Sequence, residues 1–230
     1  MLKHIFATRA PFREEVLRVN TIAEYLDAVW HYARMKETHE IFGGESTWDP
    51  NDDRPVDSHL GYVGAAGEFF VENYLRIYGG EHDLTDVWSV NSIDSPVQDT
   101  GIDHFATNLR HQKLDFGREN VPGSKVFIQT KFARNPRKEF KTNDGSRLPN
   151  FFAAAYDQAI EERITQSCRW IVVTTGKGIH WAMKKNMAKR IEVINRETMS
   201  ARVDGNEVFW NKMREAAGVA QKAIDLPLDY

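Results

Sequence analysis

A chain of 230 residues with 41% hydrophobic, 27% charged and 11% aromatic residues has the make-up of a cored globular protein, which excludes a disordered or fibrous one. A net charge of −3 gives no global electrostatic case for a non-specific nucleic-acid binder, and the single cysteine, Cys168, excludes an internal disulfide and a zinc site of the CxxC kind. No apolar run reaches the roughly 20 residues that span a bilayer, and the N-terminus lacks the apolar region of a signal peptide, so the expectation is a soluble, cytoplasmic protein.

Residues 13–42 read as helix, because Val16, Leu17, Ile22, Tyr25, Leu26, Val29, Trp30 and Ala33 recur at near-helical spacing, with Asn20 and Thr21 offering a cap or break. The turn-rich GGESTWDPNDDRPVDSH at 43–59 reads as a linker. A second helix is expected over 60–78, with Gly61, Gly64 and Gly67 forming a small-residue stripe that would let another backbone approach, and Glu68 directly after it. Short β-rich runs follow: DVWSV at 86–90, HFATNL at 104–109 and KVFIQTKF at 125–132, an order that suggests an antiparallel meander. Helical composition returns at 151–164. RWIVVTT at 169–175 reads as a buried strand, and the strand, helix, strand order implies a crossover to a parallel neighbour. Residues 178–190 are expected to be helical, 191–203 a strand, and 207–218 a helix docked through Trp210, Met213 and Ala217. The domain reading is an N-terminal helical extension and linker at 1–57, then one domain at 58–230.

The chemistry concentrates around KVFIQTKF. Strand alternation puts Phe127, Gln129 and Lys131 on one face and Val126, Ile128 and Thr130 on the other, so two long polar side chains project together. Upstream, in DTGIDHFA, a turn glycine delivers Asp103 to the start of a strand that can pair with KVFIQTKF. If those strands are neighbours, Asp103, Gln129 and Lys131 meet at one edge, and the glycine-lined helix can bring Glu68 to the same point. Hard oxygen donors of this kind suit Mg²⁺, which needs only one or two protein carboxylates, and a lysine beside them can orient an attacking water or stabilise developing negative charge. Asp94 and Asp99 are alternative ligands, and His104 and His111 alternative bases.

Charge distribution adds to this. Lys131, Arg134, Arg137, Lys138, Lys141 and Arg147 lie close together against only Glu139 and Asp144, and Lys177, Lys184, Lys185, Lys189 and Arg190 form a second basic stretch. Two basic stretches flanking the candidate strand suit contact with phosphates, and Arg134, Arg137, Lys138, Lys141, Lys177, Lys184 and Lys185 are the expected nucleic-acid contacts. The Thr-Gly-Lys-Gly at 175–178 is not a phosphate-binding loop, since Ile171 and Gly178 stand where a glycine and a Ser or Thr are required. Of the six tryptophans, Trp48 and Trp181 are the ones to consider for nucleic-acid contact, the others being expected in the core.

A helix glutamate (GYVGAAGEFFVENYL), then GID (DTGIDHFA), then a strand ending in QxK (VFIQTKF), resembles the PD-(D/E)xK nuclease superfamily, with the Mrr-like branch, where glutamine replaces the second acidic residue, the nearest likeness. RWIVVTTG resembles the strand that follows that branch's second core helix, so the likeness covers about residues 60 to 180. It implies an α/β fold: a restriction-endonuclease-like core with a central mixed β-sheet flanked by helices, plus the N-terminal helical extension. It further implies an endonuclease acting on DNA, double-stranded in the first instance, with Asp103, Glu68 and Gln129 holding Mg²⁺ (Mn²⁺ as a substitute) and Lys131 assisting the attacking water. A homodimer is the expectation for double-strand cutting. The alternatives are a junction resolvase, or a DNA-binding or assembly protein that kept the fold and lost activity.

Overall fold

A computed structural model of the chain describes residues 18–34, 57–90, 101–113, 119–120, 122–141, 148–163, 168–180 and 191–224. It resolves into two compact units, Met1–Phe70 with Ser200–Tyr230, and Val71–Met199.

In the first unit, helix α1 (Ile22–Ala33) opens on Thr21, whose side chain accepts the Glu24 N–H at 3.2 Å, while Glu24 reaches back to the Asn20 N–H. This pair satisfies two donors that a helix start leaves open. The expected apolar stripe is the buried one, with Ile22, Tyr25, Leu26 and Val29 almost inaccessible. The second helix, α2 (Asp57–Tyr78), contributes Phe70, and the C-terminal helix α5 (Glu207–Ile224) contributes Phe209, Trp210, Met213 and Ala217. Tyr25, Phe70, Phe209 and Trp210 form one aromatic cluster with ring centroids 5.1 to 6.1 Å apart. Both polar handles in it are satisfied: Tyr25 donates to the Ala66 carbonyl at 2.9 Å and Trp210 to the Val203 carbonyl at 2.7 Å. Burial also pushes the Tyr25 phenol well above its ordinary pKa. At Gly64 an added Cβ would meet nothing within 4 Å among the described residues, so that glycine does not serve the close backbone approach expected of the stripe.

The second unit is built on a five-stranded mixed sheet. Its strands are β1 (Leu84–Ser89), β2 (His104–Asn108), β5 (Lys125–Lys131), β7 (Arg169–Thr174) and β9 (Ile191–Ile194), in that spatial order. β1, β2 and β5 run antiparallel as the expected meander, and β5, β7 and β9 run parallel. Helix α3 (Leu148–Glu161) makes the crossover from β5 to β7 and buries Phe151, Phe152, Ala155 and Ala159 against Phe127, Trp170 and Val172. All six residues of β7 are buried, which explains a continuous apolar run without alternation. A small hairpin, β3 (Gln112–Lys113) with β4 (Glu119–Asn120), interrupts the meander.

Two expectations are corrected. Residues 178–179 are not the start of a helix: they form β8 (Gly178–Ile179), parallel to β6 (Glu139–Phe140), and 181–190 lie outside the described residues. The stretch 191–203 is strand only to Ile194, after which helix α4 (Arg196–Val203) begins. Asn195 accounts for the change, its Oδ1 accepting the Thr198 N–H at 3.0 Å as an N-cap. Among the described residues no helix is long and apolar enough to cross a membrane.

Candidate active site

Gln129 lies on the α3 side of the sheet, sharing a face of β5 with the buried Phe127. It is only 1% exposed, and its Oε1 makes no hydrogen bond among the described residues. A buried acceptor without a donor costs on the order of 1–3 kcal/mol, and a ligand bound there would recover that cost.

Gly101 fixes what stands beside it. With φ at +74° and an added Cβ falling 3.2 Å from both Gln129 Nε2 and the Phe151 backbone nitrogen, only glycine lets the chain pass between β5 and the start of α3. Two residues on, Asp103 continues the sheet. Its N–H donates to the Ile128 carbonyl at 3.0 Å, its carbonyl accepts the Val90 N–H at 2.9 Å, and its carboxylate Oδ2 accepts the Thr130 N–H at 2.5 Å. The carboxylate is thereby held against the β5 backbone between Gln129 and Lys131. Lys131 closes the strand, partly buried, with its carbonyl accepting the Thr175 N–H at 3.3 Å. The structure thus brings Asp103, Gln129 and Lys131 together at the carboxyl end of the parallel strands, where open α/β sheets hold their ligands.

Glu68 sits partly buried on α2, in the first unit, so the geometry of the second unit's site rests on the other three residues. His104 is fully buried and His111 exposed. Asp94, Asp99, Arg147, Lys184, Lys185, Trp48 and Trp181 lie outside the described residues.

Lys177, the described cation of the second basic stretch, meets the first stretch at the same end of the sheet. Arg134, Arg137, Lys138, Lys141 and Lys177 are all exposed. Asn135 turns the first stretch by accepting the Arg137 N–H, and the Lys138 carbonyl accepts the Lys177 N–H at 2.8 Å. Gly176 permits that contact, since a Cβ there would fall 2.6 Å from the Lys138 carbonyl oxygen. Nothing in a two-residue strand pair announces itself in sequence, which is why this stitching went unread. Lys177 also pairs with Glu139 at 2.8 Å, and that hydrogen bond holds the Glu139 carboxyl below the usual carboxylate range.

A second polar centre, which sequence reasoning missed, lies at the opposite end of β7. Arg169 is 2% exposed and binds Glu192 through two nitrogens at 2.9 and 2.8 Å, Asn108 Oδ1 at 2.8 Å, and the carbonyls of His82 and Asp83. Arg110 joins Asp83 to Glu192 from outside. The available signal was an arginine opening an otherwise apolar strand, which needs partners if it is buried.

Among the described residues no group of three or more His, Cys, Asp and Glu side chains is placed to hold a metal. A site of one carboxylate and one amide oxygen is a different donor set, of the sort Mg²⁺ accepts when water completes its shell. The chain matches no protein-family model, no curated protein and no solved structure.

Proposed function

We propose that this protein is a metal-dependent endonuclease that hydrolyses DNA phosphodiester bonds on a restriction-endonuclease-like fold. The observation that carries the reading is the pairing of a fixed carboxylate, Asp103, with a buried amide oxygen, Gln129 Oε1, that makes no hydrogen bond among the described residues, beside Lys131. The order of elements adds support, because the four segments on which the resemblance rests fall in turn on α2, β2, β5 and β7, with α3 as the crossover between the last two.

The residues fit a hard divalent cation. The Asp103 carboxylate, whose Oδ2 accepts the Thr130 N–H, and Gln129 Oε1 would hold Mg²⁺, and the resemblance assigns Glu68 as a further carboxylate. When bound, Mg²⁺ supplies Lewis-acid polarisation of a phosphoryl oxygen and acidifies a coordinated water. Asp103 presents its carboxylate on a rigid strand start, and Gly101 lets the start of α3 pass close to the Gln129 amide and fix its place. Lys131 Nζ donates a hydrogen bond where negative charge grows during displacement. The exposed cations Arg134, Arg137, Lys138 and Lys141 grip the backbone on either side, double-stranded DNA being the expected partner.

One observation favours a second reading. Asp103 already has a structural duty as acceptor for Thr130, and Gln129 is neutral, which together suit a DNA-binding or assembly protein without catalysis. Cleavage of supercoiled plasmid, linear duplex, single-stranded DNA and a four-way junction, each with Mg²⁺ or Mn²⁺, decides between them. The expected result is metal-dependent cutting that Asp103→Asn and Lys131→Met each reduce by about 100-fold or more. DNA binding by the wild type without cutting of any substrate would establish the second reading, and preference for the junction would identify a resolvase.

A further inference from the structure

The α3 side of the sheet carries an aromatic row running directly across the strands. Trp88 pairs with Phe105, Phe105 with Phe127, and Phe127 with Trp170. Trp88 and Phe105 stand 5.7 Å apart between ring centroids, as do Phe105 and Phe127. Helix α3 covers the inner members, and Trp170 is 8% exposed and Phe127 fully buried. Trp88, on the edge strand β1, is 42% exposed. A tryptophan with that much open ring, resting on a row that already holds it in place, is a preformed flat surface.

Its position ties it to the candidate site. Val90, directly after the end of β1, donates to the Asp103 carbonyl, and Trp88 shares its sheet face with Gln129. From strand spacing and rise, the two α-carbons are ~12 Å apart, two strands across and two residues up. The bulge between Thr85 and Trp88, with Asp86 at φ 49°, re-aims β1 where the indole emerges. On the same face the Lys125 ammonium, ion-paired with Glu162, lies 4.6 Å from the centre of the Phe105 ring and holds that ring in place beneath Trp88.

We infer that Trp88 is a stacking platform for an unpaired nucleobase of the DNA strand that enters the Asp103, Gln129 and Lys131 site. The inference rests on the nuclease reading for the identity of the ligand and deepens it. Bases within a duplex have no free face for an indole, so the preferred substrate carries unpaired nucleotides within a few positions of the scissile bond. Trp88 is a positioning residue, acting on a base rather than on the reacting phosphate.

The test is anisotropy of fluorescein-labelled DNA with the full chain in EDTA, where binding is read without cleavage. The probes are a blunt duplex and the same duplex carrying an oligothymidylate overhang, bound by wild type, Trp88→Phe and Trp88→Leu. The expected result is an affinity for the overhang probe that falls about tenfold in Trp88→Leu and is largely kept in Trp88→Phe, with blunt-duplex affinity changed less than about twofold. Equal affinity of Trp88→Leu and wild type for the overhang, or an equal loss on both probes, overturns it. Should Trp88→Leu fail to fold, wild-type photocrosslinking to 5-bromodeoxyuridine in the overhang takes its place: adducts on the peptide holding Trp88 support the inference, and adducts elsewhere overturn it. Trp88-dependent binding without cutting in Mg²⁺ would sink the nuclease reading alone, and cutting without Trp88 dependence would sink this inference alone.

Discussion

The two ends of β7 and its neighbours treat buried polar groups in opposite ways. At the amino end, Arg169 is enclosed with Glu192, Asn108 and the carbonyls of His82 and Asp83, so the charge is paired and its donors are used. At the carboxyl end, Gln129 is just as buried, yet its Oε1 makes no hydrogen bond among the described residues, one chain step from the N–H that clamps Asp103. Enclosing a charge demands that the protein pair it, as it does at Arg169, whereas a neutral amide oxygen can stay open to a ligand at a smaller cost.

Removing the centre of the satisfied end breaks the comparison hardest. Arg169→Ala removes the five hydrogen bonds of one buried guanidinium while Arg110 still pairs with Glu192, and an expected loss of about 3–5 kcal/mol follows at about 1 kcal/mol per bond. Urea denaturation measures it, and a loss under about 1 kcal/mol would mean the network is not what holds that end. Next comes Asp103. Asp103→Ala leaves the Thr130 N–H without its acceptor and should cost about 1–3 kcal/mol, while Asp103→Asn keeps an acceptor oxygen and should cost clearly less. Equal cost for the two variants would show that charge, not the clamp, sets the stability there.

Gln129→Leu reverses the sign. Replacing an acceptor that makes no hydrogen bond among the described residues by an apolar side chain of similar reach should leave the fold unchanged or stabilise it by about 1 kcal/mol, while cleavage is lost. A clear destabilisation in thermal melts would show that the amide holds the fold. The smallest effect concerns His82, half-buried and bonded to the Tyr74 hydroxyl at 2.9 Å. Burial is the main cause that lowers its pKa, against the opposing pull of Glu81 and Glu192. Because the folded pKa lies below the unfolded one, the contribution is present above the ordinary histidine value of about 6.5 and is lost as pH falls through the folded value. Melting temperature against pH should therefore slope downward on acidification from about pH 7, less steeply in His82→Gln. An unchanged slope would assign the acid sensitivity elsewhere.

By itself the sequence determined the long elements and the residue types at the site. Runs such as KVFIQTKF and RWIVVTT have enough β-branched and aromatic residues for their period and burial to be read locally, and Trp210, Met213 and Ala217 mark the buried stripe of α5 at helical spacing. The GID turn was legible because a glycine before an aspartate signals a conformation that Gly101 indeed adopts, at φ +74°. Asn195 was a readable cap that the apolar pattern of 191–194 overshadowed. Tertiary structure decided the rest: the β6 and β8 pairing beside Lys138 and Lys177, the clamp on Asp103, the Gln129 oxygen that makes no hydrogen bond among the described residues and the open ring of Trp88. Each of these depends on what lies across a sheet or under a helix from distant parts of the chain, and two-residue strands, backbone donors and exposure leave no periodic trace in sequence.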